Sequence, residues 1–197
     1  MRYATAVRRL RTIADSCTRA LTATGDIPLT AVYVFGPVLE APGDETETVD
    51  VVFALDVPPA ELPWGVEPPL GHALVELLGL DKAPVRRVWR PANRPVANHL
   101  IRRPLRIWST AGPDEAALEA LAQQRAEHLR LDDPAPHEAR AQREIERAEA
   151  LAHLRHLRDQ YHDPLWRHGY RRTGRRPDDH LWHALDGFLE LQDAATS

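Results

Sequence analysis

Asp50 is the residue whose type and setting most directly suggest metal chemistry. It lies in the β-branched run 48–55, and alternation along a strand points Thr48 and Asp50 to the same face. A carboxylate is a good Mg²⁺ ligand, whereas a hydroxyl is a poor one beside it. Two-metal transfer chemistry needs several carboxylates around the metals, and Asp44 and Glu47 are the nearest ones that could help. Asp50 is therefore the candidate catalytic residue.

The sequence around Asp50 resembles the core of the nucleotidyltransferase fold. Residues 31–56 read AVYVFGPVLEAPGDETETVDVVFALD, so that a strand-like run ends in Phe35-Gly36-Pro37 and a second run carries Asp50. In that family one strand ends in Gly-Ser, and the next strand carries two carboxylates, two residues apart, that hold the metal ions of an incoming nucleotide. The resemblance implies the same core fold, in which the two runs are neighbouring strands.

The chain departs from the family at the chemical positions. Pro37 stands where the family has serine, and Thr48 stands where it has the first carboxylate. The family usually takes a third carboxylate from a later strand, but the later runs 85–89 and 105–109 contain none. The resemblance therefore implies a nucleotidyltransferase-like protein with a degenerate motif. It implies no cofactor, with Mg²⁺ expected only if the chain is a divergent enzyme that uses Asp50.

Arginine is concentrated in two stretches without Asp or Glu, 82–113 and 164–177. Aromatic residues are interleaved, and this combination suits phosphate contacts together with base stacking. Three interpretations stay open: a surface for nucleotide or nucleic acid, an interface for an acidic protein partner, or arginines paired with the acidic helices of 114–150. The candidate binding residues are Arg86, Arg90, Asn98, His99, Arg102, Arg103, Arg171 and Arg172.

Metal binding by histidine is not predicted. His153 and His156 lie at i, i+3 on one predicted helix, and His180 and His183 do so on the last one. That spacing can place two ligands on one face. No nearby cysteine or well-placed carboxylate completes a ligand set, so the sequence offers no metal site.

Composition favours an ordinary globular protein. The 197 residues are 43% apolar and 27% charged with a net charge of −4, which is compatible with a packed core. Cys17 is the only cysteine, so an internal disulfide is excluded. We expect a cytoplasmic protein, because no apolar run approaches a membrane span or a signal peptide. Lys82 is the only lysine among 25 basic residues, which is typical of GC-rich bacterial genomes.

Periodicity predicts an α+β fold, a small mixed sheet of nucleotidyltransferase-like type with a C-terminal helical bundle. The division falls after residue 112, with a core in 1–112 and helices in 113–197 packed on it. Strands are predicted at 30–35, 48–55, 85–89 and 105–109, helices at 3–23, 72–80, 114–129, 137–162 and from 177, and a basic loop at 164–176. The residues expected on the buried sides of the last two helices are Ile145, Ala148, Leu151, Leu154, Leu157 and Tyr161, then Leu181, Trp182, Leu185, Phe188 and Leu189.

Three functions remain open at this stage. The favoured one is a binding module for a nucleotide, a nucleic acid or a protein, acting through the arginine-rich face. The second is a divergent metal-dependent nucleotidyltransferase. The third is a non-enzymatic assembly protein that forms a homodimer or docks a partner through its C-terminal helices. No Gly-rich phosphate loop, nucleophile elbow or His-Glu-x-x-His stretch points to another enzyme class.

Overall fold

The computed structural model describes residues 1–41, 45, 47–82, 84–172 and 176–196, without the side chains of residues 172 and 196. Asp44 therefore lies outside the described residues. The helices and strands alternate in the first half, and helices alone follow in the second. They are α1 (Tyr3–Thr24), β1 (Leu29–Phe35), α2 (Pro37–Glu40), β2 (Val49–Leu55), α3 (Gly71–Leu78), β3 (Val85–Pro91), β4 (Leu105–Ser109), β5 (Gly112–Pro113), α4 (Glu115–Ala122), α5 (Pro136–Gln160), α6 (Pro164–Arg172) and α7 (Pro177–Thr196).

The strands form one mixed sheet in the order β3-β2-β1-β4-β5. β1 is antiparallel to both β2 and β4, while β2 and β3 are parallel. The four predicted strands are thus confirmed, and the short β5 extends the sheet. The register pairs Asp50 with Phe35 on one side and with Arg86 on the other. These pairings bring the start of β2, the end of β1 and the start of β3 together at one end of the sheet.

The sheet is the middle layer of three. One face packs on α1, α3 and α4, and Val32, Val34 and Val51 on that face are fully buried. The other face carries Phe35 and Val52 and packs on α5, α7 and the loops before them. The α+β class with C-terminal helices is therefore confirmed. The division after residue 112 stays a prediction, although α4 shares the core of α1.

Two boundaries in the second half differ from the sequence prediction. The helix expected over 114–129 ends at Ala122, because Gln124 has a φ of 55° and turns the chain into the short 3₁₀ helix Ala126–Leu129. The basic loop expected over 164–176 contains α6 instead. An Asp163 carboxylate oxygen accepts a hydrogen bond from the Leu165 N–H at 2.8 Å, and Pro164 occupies the first turn, where a missing N–H costs nothing.

The buried face of α5 was predicted wrongly in part. Ile145 is 40% exposed and Ala148 is exposed, whereas Glu146 is 3% exposed. Glu146 points inward because it is paired with a buried arginine of β3. Apolar spacing alone could not show that pair.

Three of the five α7 residues predicted to be buried are exposed: Trp182, Leu185 and Leu189 are 63%, 38% and 47% exposed. Leu181 and Phe188 are partly buried against the core, as predicted. On the buried side, a Cβ at Gly187 would lie 2.5 Å from the Trp64 carbonyl oxygen. This close approach fixes the rotation of the helix, and a Cβ at Gly65 would likewise meet the Gly187 Cα at 2.7 Å.

No helix within the described ranges has both the length and the apolar content that a membrane crossing requires.

Candidate ligand-binding site

Asp50 is largely buried at the end of the sheet where β1, β2 and β3 meet. Its side chain is 9% exposed, and Thr48 Oγ1 donates a hydrogen bond to its Oδ1 at 3.1 Å. Gly36 has a φ of 70°, and a Cβ there would lie 2.8 Å from Asp50 Oδ2. The glycine is therefore required both by the backbone conformation and by the carboxylate packed against it.

The counter-ion of this carboxylate is a guanidinium. Arg86 Nη1 lies 3.7 Å from Asp50 Oδ2, and the two residues are paired across β2 and β3. Within the described ranges, no group of three or more His, Cys, Asp or Glu side chains could hold a metal ion. Glu47 is exposed in the segment before β2. Among the described residues Asp50 is therefore a single carboxylate beside a guanidinium, and Asp44 lies outside them.

Arg90 lies four residues after Arg86 on β3 and forms a buried ion pair. Arg90 Nη1 and Glu146 Oε1 are 2.6 Å apart, with side chains 3% and 4% exposed. Arg90 Nη2 also donates to the Pro95 carbonyl at 2.5 Å, and its guanidinium lies 5.5 Å from the Trp64 ring centroid. The pair connects β3 to α5, so Arg90 is a structural cation rather than a free one.

Asn98 extends this buried network into the loop before β4. Its Nδ2 donates to Glu146 Oε2 at 3.3 Å, and its Oδ1 accepts from the N–H groups of Leu100 and Ile101, each at 3.0 Å. Glu146 accepts a further bond from Gln142 Nε2 at 2.8 Å. The amide therefore shapes the turn that presents the next side chain, His99.

Neither ring nitrogen of His99 has a hydrogen-bond partner among the described residues. The side chain is 9% exposed and packs edge-on against Trp64, with ring centroids 5.0 Å apart. Burial lowers the pKa of His99, although Glu190, 4.0 Å from its Nε2, acts in the opposite direction. A neutral imidazole has one donor and one acceptor nitrogen, and both nitrogens of His99 are shielded from solvent and left unsatisfied by the described residues.

A cavity of about 430 Å³, here called the basic cavity, opens beside this histidine. It lies between the 98–102 loop, the start of α5 and the end of α7. Its polar lining consists of Asn98, His99, Arg102, Asp133, Arg140 and Arg143.

The charges in the basic cavity do not balance. Arg102 donates from Nε and Nη2 to Asp133 Oδ2, at 2.9 and 2.5 Å. Arg102 holds the pKa of Asp133 below its usual range, mainly through that hydrogen bond. Arg140 is exposed and has no carboxylate partner among the described residues. Arg143 donates from Nη1 to the Ala194 carbonyl, and its Nε is buried without a partner. Two guanidinium groups thus face the cavity uncompensated.

The structure brings together Asn98, His99 and Arg102 from the sequence-predicted binding set, and it separates the others from them. Arg103 is ion-paired with Glu127. Arg171 is an exposed residue of α6, and the side chain of Arg172 lies outside the described residues. The candidate binding residues therefore do not all face one ligand.

Sequence reasoning missed the two uncompensated arginines, Arg140 and Arg143. They are three residues apart on α5 and so lie on one helix face. This spacing was visible in the sequence, but the acidic residues of the same helix obscured it. Glu144, four residues after Arg140 on the same helix, is paired with Arg147 instead.

Two smaller cavities are also lined by residues of α7. One of about 290 Å³ has both signs of charge, from Arg86 and Arg87 on β3 and from Asp186 and Glu190 on α7. The other, of about 220 Å³, shares His183 with it and includes His72, Arg176 and Asp179. Neither has a surplus of unpaired cations comparable with the basic cavity.

Helix packing brings one histidine of each i, i+3 pair together. His153 of α5 meets His180 of α7 edge-on, with centroids 5.2 Å apart. Burial is the main cause that lowers the pKa of His153 to about 4. This contact lies in an aromatic stack, because His180 also packs on Tyr170 of α6 at 5.0 Å.

Comparison with known proteins places the whole chain in one family. A family model described as "Domain of unknown function (DUF7711)" matches residues 1–197. No curated protein and no solved structure matches the chain.

Proposed function

We propose that this chain, which belongs to the DUF7711 family, is a cytoplasmic protein that binds a nucleotide or a closely related phosphate ester in the basic cavity, without nucleotidyl transfer. The observation that carries the proposal is the pair of uncompensated guanidinium groups of Arg140 and Arg143 beside the unpartnered ring of His99. Cations that lack a protein carboxylate are the groups a phosphate satisfies, and arginine can bind it with two parallel hydrogen bonds.

The position of the cavity at the start of α5 supports an anionic ligand. Pro136 begins the helix and lines the cavity. The positive end of the helix dipole adds to the field of the arginines there. Glu138 already caps the Ala135 N–H at 2.9 Å, so the dipole assists the guanidinium groups and does not form a site alone.

His99 supports a ligand that also has polar groups besides its phosphate. Lowering of its pKa keeps the ring neutral near pH 7, so it offers one donor and one acceptor rather than a third positive charge. Both nitrogens are shielded from solvent in the structure, so a sugar hydroxyl or the edge of a base reaches them only when the ring turns towards the cavity. The apolar residues Pro134, Pro136 and Ala139 supply the remaining wall. An inorganic anion alone would leave this part of the cavity unused.

A small ligand explains the arginines better than a long nucleic acid does. A polymer needs a row of cations that are free to neutralise successive phosphates. Along the predicted basic face, Arg90, Arg102 and Arg103 are instead engaged by Glu146, Asp133 and Glu127. The unpaired arginines of the cavity are concentrated at one point, which suits a single phosphate group.

The surroundings of Asp50 support the proposed absence of transfer. In the nucleotidyltransferase-like interpretation, the carboxylates of this strand face the metal ions of the nucleotide. Arg86 supplies the positive charge there through the side chain itself, and Thr48 replaces the first carboxylate. The strand order and the packing of Gly36 on Asp50 support descent from such a core. The ligand site we propose is instead the basic cavity, whose lining does not include Asp50.

Equilibrium binding tests the proposal. The purified chain is titrated with nucleoside 5′-mono- and triphosphates at low salt, with MgCl₂ and then with EDTA, by calorimetry. We expect binding without a metal requirement, and a loss of roughly 10-fold or more in affinity for Arg143→Gln, since a hydrogen bond to a charged group contributes about 1.5–3 kcal/mol. Arg171→Gln, which removes an exposed arginine outside the cavity, is the matched control. Binding that is unchanged in Arg140→Gln and Arg143→Gln, or no binding to any of these compounds, would overturn the assignment.

A further inference from the structure

An exposed apolar stripe runs along the outer side of α7. Trp182, Leu185 and Leu189 are spaced three and four residues apart, so they lie on one face of the helix. The tryptophan is 63% exposed, and an exposed tryptophan in an apolar row is characteristic of an interface rather than of a solvated surface. This set is called the α7 stripe below.

The two flanks of the α7 stripe differ in charge. α5 runs along one flank, because Arg147 Nη1 contacts Gln192 Oε1 at 3.4 Å and Tyr161 Oη donates to Asp178. On that flank Arg147 is paired with Glu144 of the same helix. Arg155, eight residues after Arg147, is exposed and has no carboxylate partner in the described part of the chain.

The opposite flank is acidic. Asp186 follows Leu185 by one residue, which moves it about 100° round the helix, away from α5. Asp179 lies on the same side, since it is seven residues earlier. α7 contains five carboxylates and neither arginine nor lysine. The stripe is thus bordered by Arg155 on one side and by the carboxylates of α7 on the other, with Arg86 and Arg87 of β3 across the cavity from Asp186.

We infer that the α7 stripe is the contact between two copies of this chain, related by a two-fold axis parallel to α7. A two-fold contact joins one surface to itself, so the surface must be self-complementary. An axis along the stripe brings the arginine flank of each copy over the acidic flank of the other. An axis across the stripe would set like charges together, which disfavours the antiparallel arrangement.

The apolar residues supply the affinity and the flanks select the geometry. Burial of Trp182 against the partner's stripe removes a large aromatic surface from water, which is the main favourable contribution at such contacts. Arg155 and Asp186 then meet across the interface twice, once on each side of the axis. A partner of another kind would need the same pattern of charge, which a second copy provides by symmetry.

Mass measurement over a range of concentrations is the first test. Sedimentation equilibrium from low to high micromolar protein should give twice the 22.2 kDa of one chain at the upper end. Trp182→Glu should weaken association by roughly 30-fold or more, since truncation of a central aromatic residue at an interface has effects of this size. Leu131→Glu is the matched control, because this leucine is also exposed (42%) and lies outside the stripe. A wild-type chain that stays monomeric throughout, or a dimer unaffected by Trp182→Glu, overturns the proposal.

Charge exchange and cross-linking test the geometry. Arg155→Glu and Asp186→Arg should each weaken the dimer, and the double variant should restore it. Leu189→Cys alone should form a disulfide-linked dimer, because a parallel two-fold brings residue 189 of each copy together. Cys17 is buried and does not compete. Cross-linking only between Leu189→Cys and Trp182→Cys chains would show the antiparallel arrangement and refute the axis proposed here.

Discussion

The buried ion pair of Arg90 and Glu146 gives the sharpest stability prediction. Both side chains are at least 96% buried, and their nearest charged atoms are 2.6 Å apart. Glu146→Ala leaves the Arg90 guanidinium in the interior with the Pro95 carbonyl as its remaining hydrogen-bond acceptor. Removal of one partner of a buried pair costs about 3–5 kcal/mol, because the other charge is left uncompensated. For a chain of this length that corresponds to a fall in Tm of roughly 6–20 °C.

Replacing both partners should have a much smaller effect. Arg90→Met with Glu146→Leu removes both charges, and apolar replacements of buried pairs are often neutral or stabilising by about 1–4 kcal/mol. The double variant is therefore expected to be more stable than Glu146→Ala. It also leaves the Asn98 side chain without its acceptor, so part of this gain is lost.

Chemical denaturation of Arg90→Met, Glu146→Leu and the double variant that combines them measures the coupling free energy. The exposed pair Arg147–Glu144 on the same helix is the control, and its removal should change stability by no more than about 1 kcal/mol. A loss below 1 kcal/mol in Glu146→Ala, or additive effects in the double variant, would refute the argument that this pair joins α5 to the sheet.

Three further predictions concern groups outside that pair. The wild-type chain should transfer no labelled nucleotide with Mg²⁺ or Mn²⁺, and Asp50→Ala should change only its stability; label incorporation that Asp50→Ala abolishes would contradict the assignment. The folded-state pKa of His153 is about 4, below the ordinary value of 6.5, so the stability it supports is complete above pH 6.5 and declines as the pH falls towards 4. Acid unfolding of His153→Phe should lose this dependence between pH 6.5 and 4, and an unchanged profile would exclude the histidine as its cause. Arg102→Glu with Arg103→Glu breaks two surface ion pairs, so Tm should fall by a few degrees; if duplex DNA binding and its salt slope fell instead, these arginines would be phosphate contacts.

The strands could be predicted from the sequence because their signal is local. Val32, Val34, Val49 and Val51 are β-branched residues between turn-forming segments, and all four are fully buried in adjacent strands. The pairing of the two strands was predicted from the same β-branched density and the turn residues between them. Asp50 lies at one end of the sheet because it is near the start of β2, where it pairs with Phe35 of β1 and Arg86 of β3.

The orientation of the C-terminal helices could not be predicted, because it depends on contacts between distant residues. Apolar spacing placed Trp182 and Leu185 inside, whereas the close approach of Gly187 to Gly65 turns α7 the other way. The inward position of Glu146 likewise needs a buried arginine about 55 residues earlier in the chain.

The candidate site was predictable only where its residues are close in sequence. Asn98, His99 and Arg102 are close in sequence and meet at one cavity, as a loop beside arginines suggested. Arg140 and Arg143 join them from α5. Two carboxylates of that helix are paired with other arginines, Glu144 with Arg147 and Glu146 with Arg90. The fold therefore creates the surplus of positive charge that composition does not reveal.

The most direct test of the account is to follow the His99 ring by NMR during a titration with a nucleoside 5′-monophosphate. The protein carries ¹⁵N in its histidine side chains, and the exposed His162 is the internal control. The unpartnered nitrogens of His99 should acquire a hydrogen bond, so its ring resonances should move with the ligand while those of His162 stay in place. The same titration of Arg143→Gln should show a weaker response at matched ligand concentration. Saturable nucleotide binding that leaves His99 unchanged, or no binding at all, would contradict the claim that the basic cavity is the ligand site.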